Sequence, residues 1–188
     1  MNKDLSEMTL EELWDLFPIF LINHSDKWDQ YYAEMEFFLK NILSDCMIVR
    51  ISHIGSTAIN GICSKNIVDI LLEIDSDEDI EKVATLTMNN GFILMSSSPT
   101  RISLNMGYTS NGFAEKVYHL HIRYHGDNDE LYFRDYLNEH PDVAKDYEKM
   151  KLSLCKKYEH NRDAYTSAKS AFVHKWTIEA KKVYIDRF

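Results

Sequence analysis

A chain of 188 residues with 45% apolar side chains is long enough for one ordinary domain with a real core. Asp and Glu number 30 against 21 Lys and Arg, a net charge of -9. The molecule as a whole therefore repels nucleic-acid backbones, and with no local basic patch in view a small-molecule partner fits better than a nucleic acid.

Near the N-terminus the most apolar stretch, "LWDLFPIFLI", carries Asp15 and Pro18, so it reads as neither a signal peptide nor a membrane span. Cys46, Cys63 and Cys155 lie far apart and form no CxxC pair, which speaks against a disulfide framework and a structural zinc site. A cytoplasmic protein with no membrane partner is the expectation. "SDKWDQYYAEMEFFLKNIL" sets Trp28, Tyr31, Tyr32, Met35, Phe38 and Leu39 at helical spacing behind Ser25 as an N-cap. "MIVRISHI" and "NIVDILLEI" read as strands separated by a Gly-Ser-Thr turn and a short helical interval.

"DEDIEKVATLTMNNGF" then predicts a helix closed by Asn-Gly, and "FILM", "RISLNMGY" and "KVYHLHIRY" predict strands, with "NGF" as a hairpin signal between the last two. From Asp127 onward the pattern is helical: "ELYFRDYLNEH", "PDVAKDYEKMKLSLCKKYEH" with Pro141 in a first turn, and "RDAYTSAKSAFVHKWTIEAKKVY". No repeat or linker breaks the chain, so residues 1–188 read as one domain. Strands followed by helices predict an α+β fold: a small mixed sheet with helices against it, a helical N-terminal segment and C-terminal helices.

Three features carry chemistry. His53-Ile54 closing a strand ahead of Gly55-Ser56-Thr57 offers backbone N–H groups and two hydroxyls to a phosphate oxygen, although the same triplet serves as a plain turn with an N-cap. Asp69 interrupts an apolar strand; Val68, Ile70, Leu72 and Ile74 make the core face, so Asp69, with Ile67, Leu71 and Glu73, is expected to look outward. His119 and His121, at i and i+2 on one strand, place two imidazoles on one face about 6–7 Å apart, close enough to share a metal ion, flank a phosphate or bond their neighbours.

Together "HIGSTAINGICSKNIVDILLEI", "HLHIRY" and "LYFRDYLNEHPDVAKDYEKMK" resemble, in this order and at these separations, the GrpB family (also called UPF0157), of the nucleotidyltransferase (polymerase-β-like) fold superfamily. The likeness covers roughly Trp28 to Lys175. It implies a minimal nucleotidyltransferase core in which Gly55-Ser56 bind a nucleotide's phosphates. Asp69, after twelve intervening residues, is the first metal-binding acid. Ser56 and Asp69 are the catalytic candidates of an in-line attack on an α-phosphorus, with a divalent metal (Mg, Mn or Zn) neutralising charge.

The chain departs from that pattern. Leu71 stands where the superfamily has its second acid, and Asn60-Gly61-Ile62 and Lys65-Asn66 stand where the family tends to carry Pro-Gly-Leu and Lys-Pro. A lone carboxylate supplies no symmetric two-metal clamp. Glu73 is the candidate substitute ligand, and His119 or His121 the candidate for the third acid's place, which shifts the preference from magnesium toward transition metals. Candidate phosphate-binding cations are Lys65, Arg101, Arg134, Lys151 and Lys169; the last two follow Tyr147 and Tyr165 by four residues and share a helix face with them. For each, a surface salt bridge with the abundant acids is the alternative. Two functions follow: metal-assisted nucleotidyl transfer to an unidentified acceptor, or a non-catalytic ligand-binding or scaffolding module on a degenerate transferase fold. The family favours the second in that its domain also occurs fused to dephospho-coenzyme A kinases. The acceptor, the base and the oligomeric state have no signature in the sequence.

Overall fold

The computed structural model describes residues 3–188. Helix α1 (Leu10–Leu16) opens on a capping box between Thr9 and Glu12, which satisfies two N–H groups that a helix start leaves orphaned. Helix α2 (Lys27–Ile42) follows. Its cap position is Asp26 rather than the expected Ser25, whose carbonyl instead accepts the Trp28 N–H at 3.1 Å.

Five strands, β1 (Ile48–Ile54), β2 (Val68–Ile74), β3 (Ile93–Ser98), β4 (Arg101–Thr109) and β5 (Gly112–Tyr124), form one sheet in the order β1-β2-β5-β4-β3. The β2–β5 pair is parallel and the other three pairs are antiparallel. Helix α3 (Ile80–Met88) lies within the connection from β2 toward β3, and α4 (Asp129–Glu139), α5 (Pro141–Lys157) and α6 (Arg162–Val183) complete the chain. This mixed sheet flanked by helices is the α+β arrangement that the order of elements predicts. None of the described helices is long and apolar enough to cross a membrane.

Packing divides by sheet face. Trp28, Met35 and Leu39 of α2 and Ile80 and Val83 of α3 bury against Ile70, Leu72, Leu104, Leu120 and Ile122. The opposite face is covered as well. Leu71 packs with Ile54 and Leu131 of α4, beside a cluster of Phe133, Tyr136, Tyr147 and Ala180 from the three C-terminal helices. The expectation that Asp69 looks out to solvent is therefore corrected: its face is walled by α4–α6, Leu71 and Glu73 are fully buried there, and Asp69 opens into a cleft between sheet and helices. An apolar residue at position 71 is what that second helical layer requires.

Candidate ligand site

The parallel register sets Asp69 directly beside His119, and Leu71 beside His121. Strand alternation then turns both imidazoles to the Asp69 side. Asp69 Oδ1 lies 2.9 Å from His119 Nδ1 and 3.8 Å from His121 Nε2. One donor atom from each of the three residues lies within 4.8 Å of the others. One hard oxygen and two borderline nitrogens so spaced suit a single divalent ion, manganese or zinc ahead of magnesium.

Gly55 lets the backbone reach this carboxylate. Its φ of +72° and ψ of -170° are left to glycine, and a Cβ there would stand 2.3 Å from Asp69 Oδ2. The following turn, Ser56–Ala58, puts Ser56 on the cleft wall, which Tyr147 also lines.

His119 is held from both sides. Its Nε2 lies 2.8 Å from the Tyr108 hydroxyl, to which Arg162 Nη2 donates at 2.9 Å. Burial lowers the His119 pKa, against the pull of Asp69. Burial alone would raise the Asp69 pKa, but the hydrogen bonds and charges of His119 and His121 outweigh it and hold the carboxyl well below the usual range. One proton arrangement satisfies every atom: Arg162 donates to Tyr108, Tyr108 donates to neutral His119 Nε2, and His119 Nδ1–H donates to ionised Asp69. His121 Nδ1 sits 3.2 Å from Ser103 Oγ.

Cations line the same cleft of about 1050 Å³: Lys65, Lys151, Arg162 and Lys169. Lys151 is buried and donates to the Cys63 carbonyl at 2.5 Å. Lys65 and Lys169 lie 5.9 and 4.6 Å from the centroid of the buried Tyr165 ring. Among the described residues none of the four forms an ion pair, so for Lys151 and Lys169 the surface salt-bridge alternative is corrected. Burial, reinforced by Arg162 and Lys169 and opposed by Asp69, brings Lys65 down to about 7. Burial and then Lys169 bring Lys151 down to about 7.

The other candidates lie apart from this cluster. Glu73 is fully buried two residues beyond Leu71. It accepts from Arg50 Nε at 2.6 Å, the Gly126 N–H at 3.1 Å and Asn128 Nδ2 at 3.0 Å, so its lone pairs are committed to those donors and it is no substitute ligand. His53 projects to the α2 face, stacked on Tyr32 and bonded to Thr57, which itself donates to the Ile67 carbonyl. Arg101 pairs with Asp127, and Arg134 braces Asp135 and the His53 carbonyl.

Tyr108 and Arg162 are the contributors that sequence reasoning missed. Arg162 carried a signal: Arg162, Tyr165 and Lys169 stand at i, i+3 and i+7 on α6 and share its cleft-facing side. Tyr108 carried none, because strand alternation assigns it to the Met106 face. The register of β4 on β5 breaks between Met106 and Tyr108, and such a break re-aims a side chain.

The sheet and flanking helices define a class, the nucleotidyltransferase-like fold. The same arrangement recurs in the solved GLD-2/RNP-8 complex, which aligns with a TM-score of 0.51 over 95% of this chain and 72% of that one at 14% identity, a likeness of fold alone. A profile of the GrpB protein family matches residues 18–179, and the chain belongs to that family. The Glutamate-rich protein GrpB of Alkalihalophilus pseudofirmus is 33% identical over 164 residues, spanning 82% of this chain and 91% of that one. A crystal structure of conserved protein GrpB from Enterococcus faecalis aligns with a TM-score of 0.75 at 28% identity, covering 88% of this chain and 99% of that one.

Proposed function

We propose that this protein binds a phosphate-bearing small molecule, a nucleotide foremost, together with a divalent metal in the cleft between β2/β5 and the C-terminal helices. The observation that carries the reading is the opposition of two groups in one cleft: the Asp69, His119 and His121 donors on the sheet, and around them Lys65, Lys151, Arg162 and Lys169, none in an ion pair among the described residues. Cations kept out of ion pairs at partial burial are costly unless an anion completes them. Phosphate oxygens do so through charge-assisted hydrogen bonds.

Asp69, His119 and His121 would hold the metal, which would take the place of the His119 Nδ1 proton, with Nε2–H then donating to Tyr108, and would supply charge neutralisation at a phosphoryl group. Ser56 stands by for a phosphate oxygen, and Arg162 through Tyr108 orients the His119 ring. With these parts the reaction served is nucleotidyl transfer. A second reading, binding or scaffolding without transfer, draws on one specific observation: Leu71 fills the second-acid position and is fully buried against Leu131 of α4.

The test is a thermal shift with pyrophosphate, ATP or UTP, each with manganese or magnesium. Ligand at about a hundred times its Kd adds about 2.7 kcal/mol, which for a chain of this size is a Tm rise of about 5–10 °C. Lys65→Ala and Lys169→Ala should shrink the rise. No shift with any of these ligands would overturn phosphate binding, and binding with no turnover of any nucleoside triphosphate would favour the second reading.

A further inference from the structure

The cleft is built in two chemically distinct halves. The cationic half surrounds Asp69. The floor then continues along one row of residues paired strand to strand: Asp69 on β2 beside His119 on β5, His119 beside Asn105 on β4, and Asn105 beside Ile93 on the edge strand β3. At one strand spacing per step, Ile93 lies about 14 Å from Asp69. Beyond the polar Asn105 the lining turns apolar, with Ile93 and Met95 of β3 on one side and Leu10, Leu13 and Trp14 of α1 also lining the cleft.

These outer residues are large and open to water. Ile93 is 48% exposed, Met95 58% and Leu10 53%. All six residues of β3 are exposed, and the strand carries no charge or proline along its uncovered edge, the devices by which edges are usually blunted. An apolar lining in a concavity that continues from a polar anchor is the form of a ligand site rather than of bare surface. The charge contrast fixes the orientation of the occupant: its anion belongs at the lysines, and its uncharged body runs over Asn105 to the β3 edge.

We infer that the ligand of this cleft is an amphipathic phosphate ester, a mono- or diphosphate head carrying an apolar body that lies against Ile93, Met95 and α1. This rests on the phosphate reading above and names the class of molecule that fills the rest of the cleft. In a transfer reaction this ester is the acceptor, its phosphate oxygen attacking the α-phosphorus of a nucleoside triphosphate with pyrophosphate as the leaving group. In a binding module it is the ligand itself.

The experiment compares inorganic pyrophosphate with geranyl diphosphate by calorimetric titration in the presence of manganese, on the parent chain and on Ile93→Ser and Met95→Glu. The head is the same in both probes, so the difference reports the tail. The geranyl compound should bind about tenfold more tightly or better, a difference of 1.4 kcal/mol, and the two substitutions should bring it back toward pyrophosphate. Both altered residues are half-exposed on an edge strand, and a pyrophosphate titration of each variant shows that it is folded. Quenching or enhancement of Trp14 fluorescence by geranyl diphosphate, absent with pyrophosphate and absent in Trp14→Phe, gives an independent readout. Equal affinity for the two probes, or a gain that survives both substitutions, would overturn the inference while leaving phosphate binding standing. Failure of pyrophosphate itself to bind would overturn the underlying reading instead.

Discussion

Replacing Gly55 with alanine tests whether the turn exists to admit the Asp69 carboxylate. Two costs are separable. At φ +72° and ψ -170° any L-residue is strained, by about 1–3 kcal/mol. The new Cβ would also stand 2.3 Å from Asp69 Oδ2 and 2.9 Å from its Cβ and Cγ, so the carboxylate must move and forfeit its 2.9 Å bond to His119, a charged hydrogen bond of about 1.5–3 kcal/mol. Gly61→Ala is the control for the close approach, because φ there is also positive, at +69°, and nothing lies within 4 Å of a Cβ placed on it. At about 2–4 °C per kcal/mol for a chain of this size, Gly55→Ala should melt lower than Gly61→Ala by about 3–12 °C. Melts followed by circular dichroism at neutral pH measure the gap, and the His119 ring resonances should shift in the first variant alone. Equal losses in the two variants would refute the reasoning, since the close approach would then cost nothing.

Metal preference is the second expectation: titration of metal-stripped protein should show manganese or zinc binding more tightly than magnesium, and both Asp69→Asn and His121→Ala should abolish it. Unchanged binding in those two variants would place the ion elsewhere. Anion affinity should depend on pH. Lys65 and Lys151, brought down to about 7, are partly neutral there, and a bound anion favours the ammonium form and raises both values. Binding thus takes up protons, and the affinity for sulfate, whose charge is constant across this range, should rise as pH falls from about 9 to about 6 and then level off. A flat profile would contradict it. Arg50→Ala should cost about 1.5–3 kcal/mol, because the buried Glu73 carboxylate loses its charged donor and keeps only the Gly126 N–H and Asn128, as measured by denaturant unfolding. Glu73→Gln should leave manganese affinity where it was, and a loss of affinity would return Glu73 to the metal site.

Much of this architecture is local in origin and so was readable. Helix spacing in α2, the Asn-Gly close after α3, the Ser-Asn-Gly hairpin between β4 and β5 and Pro141 at the start of α5 are properties of short windows. The side shared by His119 and His121 follows from alternation. Their meeting with Asp69 needed the parallel β2–β5 register, which no window contains; the family resemblance supplied it. What the sequence concealed depends on the layer above the sheet. Glu73 shares a face with Asp69 yet is absorbed by Arg50, Asn128 and Gly126, because the C-terminal helices bury that end of the strand. Tyr108 escapes alternation through a register break. Lys151 and Lys169 were candidates on their shared faces with Tyr147 and Tyr165, but the burial that separates a cleft lysine from a surface salt bridge comes from the packing of the C-terminal helices.

Asp69 and His119 are 50 residues apart in the chain, and their strands run parallel, with α3, β3 and β4 lying between them in sequence. Parallel neighbours cannot be joined by a tight turn, so this pairing closes a long loop, and contacts of that kind form late and slowly. Until it forms there is no constellation for an ion or a phosphate to recognise: Asp69 sits on one hairpin partner and both histidines on another. A ligand of this cleft is therefore unable to template folding. It should act after the barrier has been crossed, slowing the unfolding limb of a chevron while leaving the folding limb in place, so that occupancy sets how long the folded molecule lasts rather than how fast it is made.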